Sequence, residues 1–129
     1  MIKSGLTTEV KAKYLALEKG IMVSTPEGDC SRYDQIWDIN GKLLRVQIKT
    51  SKEIEDGSGF EFPGRNKNGR YTSEQIDGIA TVFNGKCYFV PIDKCGCDVR
   101  LRYTLPKNSR PEQIKFAHDY ELTRVLNII

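Results

Sequence analysis

The sequence predicts an α+β fold, and three observations carry that prediction. Leu6, Val10, Tyr14 and Leu17 recur at steps of four, four and three, the spacing of one helical face. Asn40-Gly41 stands between two strand-like runs, and this dipeptide readily accepts the two positive φ angles of a tight hairpin turn. A second such pair, Asn84-Gly85, stands between two further runs. A helix followed by hairpins mixes both kinds of element in one chain.

Taken in order, residues 4–19 read as the first helix, and Gly20 supplies the left-handed residue that commonly follows one. Ile21, Met22 and Val23 form an apolar run, largely β-branched and ended by Pro26 and Gly28, which predicts a short buried strand. Residues 33–50 form the first hairpin. Residues 51–70 turn glycine-rich and polar, predicting a mobile loop broken only by a brief edge strand at Phe60-Glu61-Phe62. Thr72, Ser73 and Glu74 offer a cap and a first-turn carboxylate for a short helical segment reaching about residue 79. The second hairpin occupies 79–83 and 86–92, and alternation over 99–103 adds a strand. Ser109-Arg110-Pro111-Glu112 resembles a helix start, with 114–122 carrying the helix. There is no internal repeat and no linker, and 129 residues make one domain, 1–129.

Composition excludes several classes. Hydrophobic residues at 39% and charged residues at 29% are ordinary globular usage, without the biased tracts of a disordered chain. The apolar runs are far shorter than a membrane span, and the first twenty residues alternate charge with apolar side chains, so neither a membrane segment nor a signal peptide is expected. A reducing, cytoplasmic compartment follows, in which Cys30, Cys87, Cys95 and Cys97 are free thiols. Cys95-Gly96-Cys97 is too closely spaced for the usual zinc-ligand pair. With a net charge of only +3, any nucleic-acid surface must come from local clustering of Lys and Arg.

The first hairpin carries the chemistry. With Asn40 and Gly41 as the turn, Ile39 faces Lys42, and continuing the ladder puts Asp34 opposite Gln47. Side chains two apart share a face, so Lys49 joins Gln47 and lies diagonal to Asp34. One carboxylate, one amide oxygen and one ammonium suit phosphodiester hydrolysis with a hard, oxygen-seeking cation such as Mg²⁺ or Mn²⁺. On pattern alone, the three side chains are also what the solvated face of an antiparallel hairpin would carry. His118 reads as a packing or surface residue and Trp37, on the opposite face, as core.

An Asp followed across a hairpin by (Asp, Glu or Gln)-X-Lys resembles the motif of the PD-(D/E)XK nucleases, here Tyr33-Asp34 and Gln47-Ile48-Lys49. The ordered set is similar to the group I intron-associated homing endonucleases of that superfamily. It comprises Glu9 in an opening helix, Arg32-Tyr33-Asp34, Leu44-Arg45-Val46-Gln47-Ile48-Lys49-Thr50, and Tyr71-Thr72-Ser73-Glu74-Gln75-Ile76-Asp77 leading to Tyr88-Phe89-Val90-Pro91-Ile92. The resemblance implies a mixed central sheet flanked by helices, in the order helix, three or four strands, helix and strand. It also implies Mg²⁺- or Mn²⁺-dependent cleavage of double-stranded DNA. Asp34 would be the main metal ligand, Gln47 a neutral oxygen donor where most members carry Asp or Glu, Lys49 the catalytic lysine, and Glu9 the helical acidic residue completing the site. Glu9 is equally placed for an i, i+4 ion pair with Lys13.

Ser31 and Arg32, beside Asp34, are placed to hold the phosphate flanking the cut. Lys52 and the loop cations Arg65, Lys67 and Arg70 are further DNA-contact candidates. Cutting both strands calls for two symmetry-related sites, hence a homodimer or homotetramer. A nuclease fold that binds DNA without cutting it, and a resolvase or repair nuclease selective for DNA structure, are the competing readings.

Overall fold

A computed structural model describes residues 4–28, 32–106 and 113–127. The opening helix α1 spans Ser4–Glu18 and ends at Gly20, whose φ of 85° is the left-handed residue expected there. Its buried stripe is not the apolar face that marks the helix in the sequence. Thr8, Ala12 and Ala16 face the protein, whereas Val10 is 60% and Tyr14 61% exposed, with Leu6 and Leu17 also exposed. Both stripes have helical spacing, and the small alanines win because they let the helix axis approach the sheet closely.

Strand β1 (Met22–Ser24) is the outer strand of a sheet, so of the predicted buried run only Ile21, just before it, is buried; Met22 is exposed. The first hairpin is β2 (Gln35–Ile39) and β3 (Lys42–Ile48), paired from Ile39↔Lys42 back to Gln35↔Val46 as predicted. Asn40 and Gly41 take φ of 54° and 91°, and Asp38 Oδ1 accepts the Gly41 amide at 2.8 Å, closing the turn.

Residues 51–70 depart most from expectation. They hold β4 (Lys52–Glu53), β5 (Gly59–Pro63) and a two-stranded ribbon of β6 (Arg65–Asn66) and β7 (Gly69–Arg70). Phe60 and Phe62 are buried, and β5 is the middle of a three-stranded sheet, not a sheet edge. The predicted helix at 72–79 is a single turn, closed by the Gln75 and Ile76 amides on the Thr72 carbonyl, before β8 (Gly78–Phe83) begins. Strand β9 (Lys86–Pro91) completes the second hairpin through Asn84-Gly85, and β10 (Asp98–Arg102) pairs with β5.

The predicted helix at 114–122 is split. Helices α2 (Ala117–Tyr120) and α3 (Leu122–Leu126) are separated by Glu121, whose extended backbone bridges Tyr88 on β9. The helix start expected at Ser109–Glu112 lies outside the described residues.

Among the described residues the main sheet runs β1-β2-β3-β8-β9, with β3 and β8 parallel and every other neighbouring pair antiparallel. This is the mixed central sheet of an α+β fold. The connection between the parallel strands is made of β structure, where the resemblance implied a helix. One face packs Trp37, Val46, Ile48 and Phe89 against Ala12 and Ala16 of α1 and Leu122 and Val125 of α3. The other packs Ile76, Ile79, Tyr88 and Val90 against Phe60, Phe62, Val99 and Leu101 of the second sheet. Gly78, where β8 starts, admits no side chain, because a Cβ there would lie 2.3 Å from the Phe89 ring and 2.7 Å from the Val90 carbonyl oxygen.

Candidate active site

The site lies where the β2–β3 ladder ends. The regular register predicts Asp34 opposite Gln47, one step beyond the last Gln35↔Val46 pair. Instead, the Asp34 amide donates to the Val46 carbonyl at 2.9 Å, a local slip of the kind a bulge makes. The Asp34 Oδ2 accepts the Ile48 amide at 2.8 Å. The carboxylate is thereby seated on β3 at the residue between Gln47 and Lys49.

Glu9 reaches the same place from α1. Burial is the largest cause raising its pKa, followed by the charge of Asp34 and a hydrogen bond with it. Asp34 is raised by its own burial, offset in part by the Ile48 amide, by Lys49 and by Glu9. Glu9 therefore faces Asp34, and among the described residues it makes no ion pair with Lys13. What fixes α1 at this point is Gln35, which the sequence reading missed. Its buried Nε2 donates to the Glu9 carbonyl at 2.9 Å, while its Oε1 accepts the Trp37 indole N–H at 2.9 Å. The available signal was an amide on the same alternating face as Trp37 and Ile39.

Arg45, Gln47 and Lys49 share the other, half-buried face of β3. The Gln47 amide makes no side-chain hydrogen bond among the described residues, which leaves its oxygen open to a ligand. Lys49 continues the parallel ladder through its amide to the Ala80 carbonyl at 3.0 Å. Its Nζ stands 5.2 Å from the centre of the Tyr71 ring, a cation–π contact that holds the ammonium over a buried aromatic face. Arg45 braces the strand behind it. Its guanidinium bonds Asp77 and the Ser73 and Glu74 carbonyls, and its own amide also donates to Asp77. Hydrogen bonding to Arg45 holds the Asp77 carboxyl below its ordinary value. Tyr71, Arg45 and Asp77 all sit in the stretches that carry the family resemblance, but their contacts span the chain and no local pattern reveals them.

The predicted DNA contacts divide. Arg32 is exposed and makes no ion pair among the described residues; Ser31 lies outside them. Lys52 is drawn toward Glu61 (3.8 Å), which also binds Arg100 (2.8 Å), on the outer face of the three-stranded sheet. Arg65 and Lys67 are exposed on the ribbon, whereas Arg70 donates to the Cys95 carbonyl at 2.9 Å. His118 is exposed beside Asp119, outside the site.

Two carboxyls and an ammonium thus meet where the first hairpin ends, with Gln47 on the same strand face as Lys49. A family model described as PD-(D/E)XK endonuclease matches residues 3–123. No curated protein sequence matches the chain. Among solved structures, a bacterial homing endonuclease, I-Ssp6803I, is similar with a TM-score of 0.72 at 24% identity, covering 96% of this chain and 90% of that one, a likeness of fold. The chain belongs to the PD-(D/E)XK endonuclease family and is a nuclease of that fold.

Proposed function

We propose that the protein is a divalent-metal-dependent endodeoxyribonuclease of the intron-type homing class, a single catalytic domain acting on duplex DNA in the cytoplasm. Glu9, Asp34, Gln47 and Lys49 form its reacting centre. The observation that carries the reading is the seat of Asp34 on the Ile48 amide, between Gln47 and Lys49, with Glu9 against it. Burial raises both carboxyls, and Asp34 raises Glu9 further, so a cation placed between them would offset a charge that Lys49 offsets only in part. Among the described residues no group of three His, Cys, Asp or Glu comes together, and the donor set in this reading is the two carboxylates with the neutral Gln47 oxygen as a third. Such a set fits Mg²⁺ or Mn²⁺, hard ions that take few protein ligands and keep several waters.

When bound, the ion would polarise the scissile phosphate and acidify a bound water. Asp34 and Glu9 would hold it, with Gln47 as a neutral third donor. Lys49, positioned over Tyr71, would face a phosphate oxygen or the attacking water and offset the negative charge that develops in the transition state. Arg32 would hold the neighbouring phosphate. Duplex cleavage needs two such centres, and the apolar stripe that α1 leaves exposed supports assembly with a second copy, as a homodimer or homotetramer.

Lys49→Ala tests the assignment. Cleavage is expected to fall by about 100-fold or more, the effect of removing one preorganised stabilising group, while DNA affinity stays within a few-fold of wild type. Single-turnover cleavage and a binding titration on the same duplex measure both, and unchanged cleavage removes Lys49 from the reacting centre.

A further inference from the structure

The ribbon of β6 and β7 rises from a fixed base beside the catalytic lysine. Its first flanking residue, Gly64, donates to the Cys97 carbonyl at 2.8 Å, and a Cβ there would lie 2.0 Å from the Gly96 carbonyl oxygen. Its last flanking residue is Tyr71, whose amide meets the Gly64 carbonyl at 3.4 Å and whose ring lies under Lys49. Arg70 clamps the base to the Cys95 carbonyl. The tip is set by the Asn68 amide donating to Asn66 Oδ1 at 2.8 Å and by Gly69 at a φ of 115°. Every residue of 65–70 is exposed, and the side chains of Arg65, Lys67 and Asn68 make no hydrogen bond or ion pair among the described residues.

We infer that this ribbon is the base-reading element, inserted in the major groove next to the scissile phosphate, with Arg65 and Asn68 contacting base edges and Lys67 a phosphate. The inference rests on the reading of the chain as a DNA endonuclease. A two-stranded ribbon fits the width of the major groove, where an Arg fork matches the guanine O6 and N7 acceptors and an Asn amide matches adenine N6 and N7. A clamped base gives such contacts a fixed register with respect to the cut. Arg70, already engaged with Cys95, positions the ribbon and does not read a base.

The test is selection from a randomised duplex pool in Ca²⁺, by binding alone, with wild type, Arg65→Ala, Asn68→Ala and Lys67→Ala. Wild type is expected to enrich a defined sequence. Arg65→Ala and Asn68→Ala should each lose preference at one position, with affinity for the selected site down by about 5- to 150-fold. Lys67→Ala should weaken binding alike on all sequences and reduce the salt slope by about one. Unchanged preference in both Arg65→Ala and Asn68→Ala, or no enrichment by wild type, overturns the inference. If preference is lost in the variants but wild type never cuts its selected site with Mg²⁺, the ribbon stands and the nuclease reading falls. Cleavage whose preference is unmoved by either substitution does the reverse.

Discussion

Asp34 is half-buried, and burial has a cost for its charged form when no cation is present. Burial outweighs the Ile48 amide, Lys49 and Glu9, which all act the other way, and sets its folded-state pKa above the unfolded one. A raised pKa contributes stability that is fully present below the ordinary carboxylate value and lost as pH rises through the folded value. Asp34→Asn keeps an oxygen for the Ile48 amide and removes the charge. The metal-free variant is therefore expected to melt above metal-free wild type at neutral pH, with the difference shrinking below the ordinary carboxylate pKa. Calorimetry at the two pH values checks this, and a variant less stable at neutral pH contradicts it. Gln47 and Lys49 were legible in the sequence because strand alternation and an Asn-Gly turn are local rules. The slip that seats Asp34 on Ile48 was not, and neither were the amide of Gln35 under Glu9 or the ring of Tyr71 under Lys49, since each depends on which distant segment packs against the strand.

Both hairpins were legible for the same local reason, with Asn40 and Asn84 at positive φ ahead of Gly41 and Gly85. The stretch between β3 and β8 was not. Its strands are two to five residues long, and Phe60 and Phe62 of β5, paired with β10, bury themselves in one cluster with Ile79 and Val90. Tertiary burial overrode a glycine-rich composition that reads as loop. The single turn at 72–76 and the division between α2 and α3 have a similar origin, since pairing of Gly78 in β8 and of Glu121 with Tyr88 takes residues that a helix would need. Gly78 measures how tightly β8 and β9 are packed. Gly78→Ala would set a methyl against a ring and a backbone oxygen, and the oxygen cannot swing aside. A loss of about 1–3 kcal/mol is expected, read from denaturant unfolding; a change under a few tenths of a kcal/mol would show that the strands have room to separate.

The molecule as a whole places α1 and α3 on one face of a mixed sheet and a second sheet on the other. Its α1 helix has two apolar stripes, and the one on Leu6, Val10, Tyr14 and Leu17 is left to solvent by this chain. A contiguous exposed apolar stripe is typical of an interaction surface, and the proposed cutting of both strands would put a second copy of the chain there. Val10→Glu is expected to lower the mass of the assembly measured by light scattering at micromolar concentration while leaving the fold intact; an unchanged mass would move the interface elsewhere. The claim on which the rest depends is that the Asp34 site cuts DNA with a divalent ion, and the most direct test is nicking and linearisation of a supercoiled plasmid carrying candidate target sites. Wild type and Asp34→Ala are compared in Mg²⁺, in Mn²⁺ and in EDTA. The account predicts metal-dependent cutting by wild type, abolished by EDTA and by Asp34→Ala, whereas cutting that persists in the variant, or no cutting by wild type of its selected site in either metal, would contradict it.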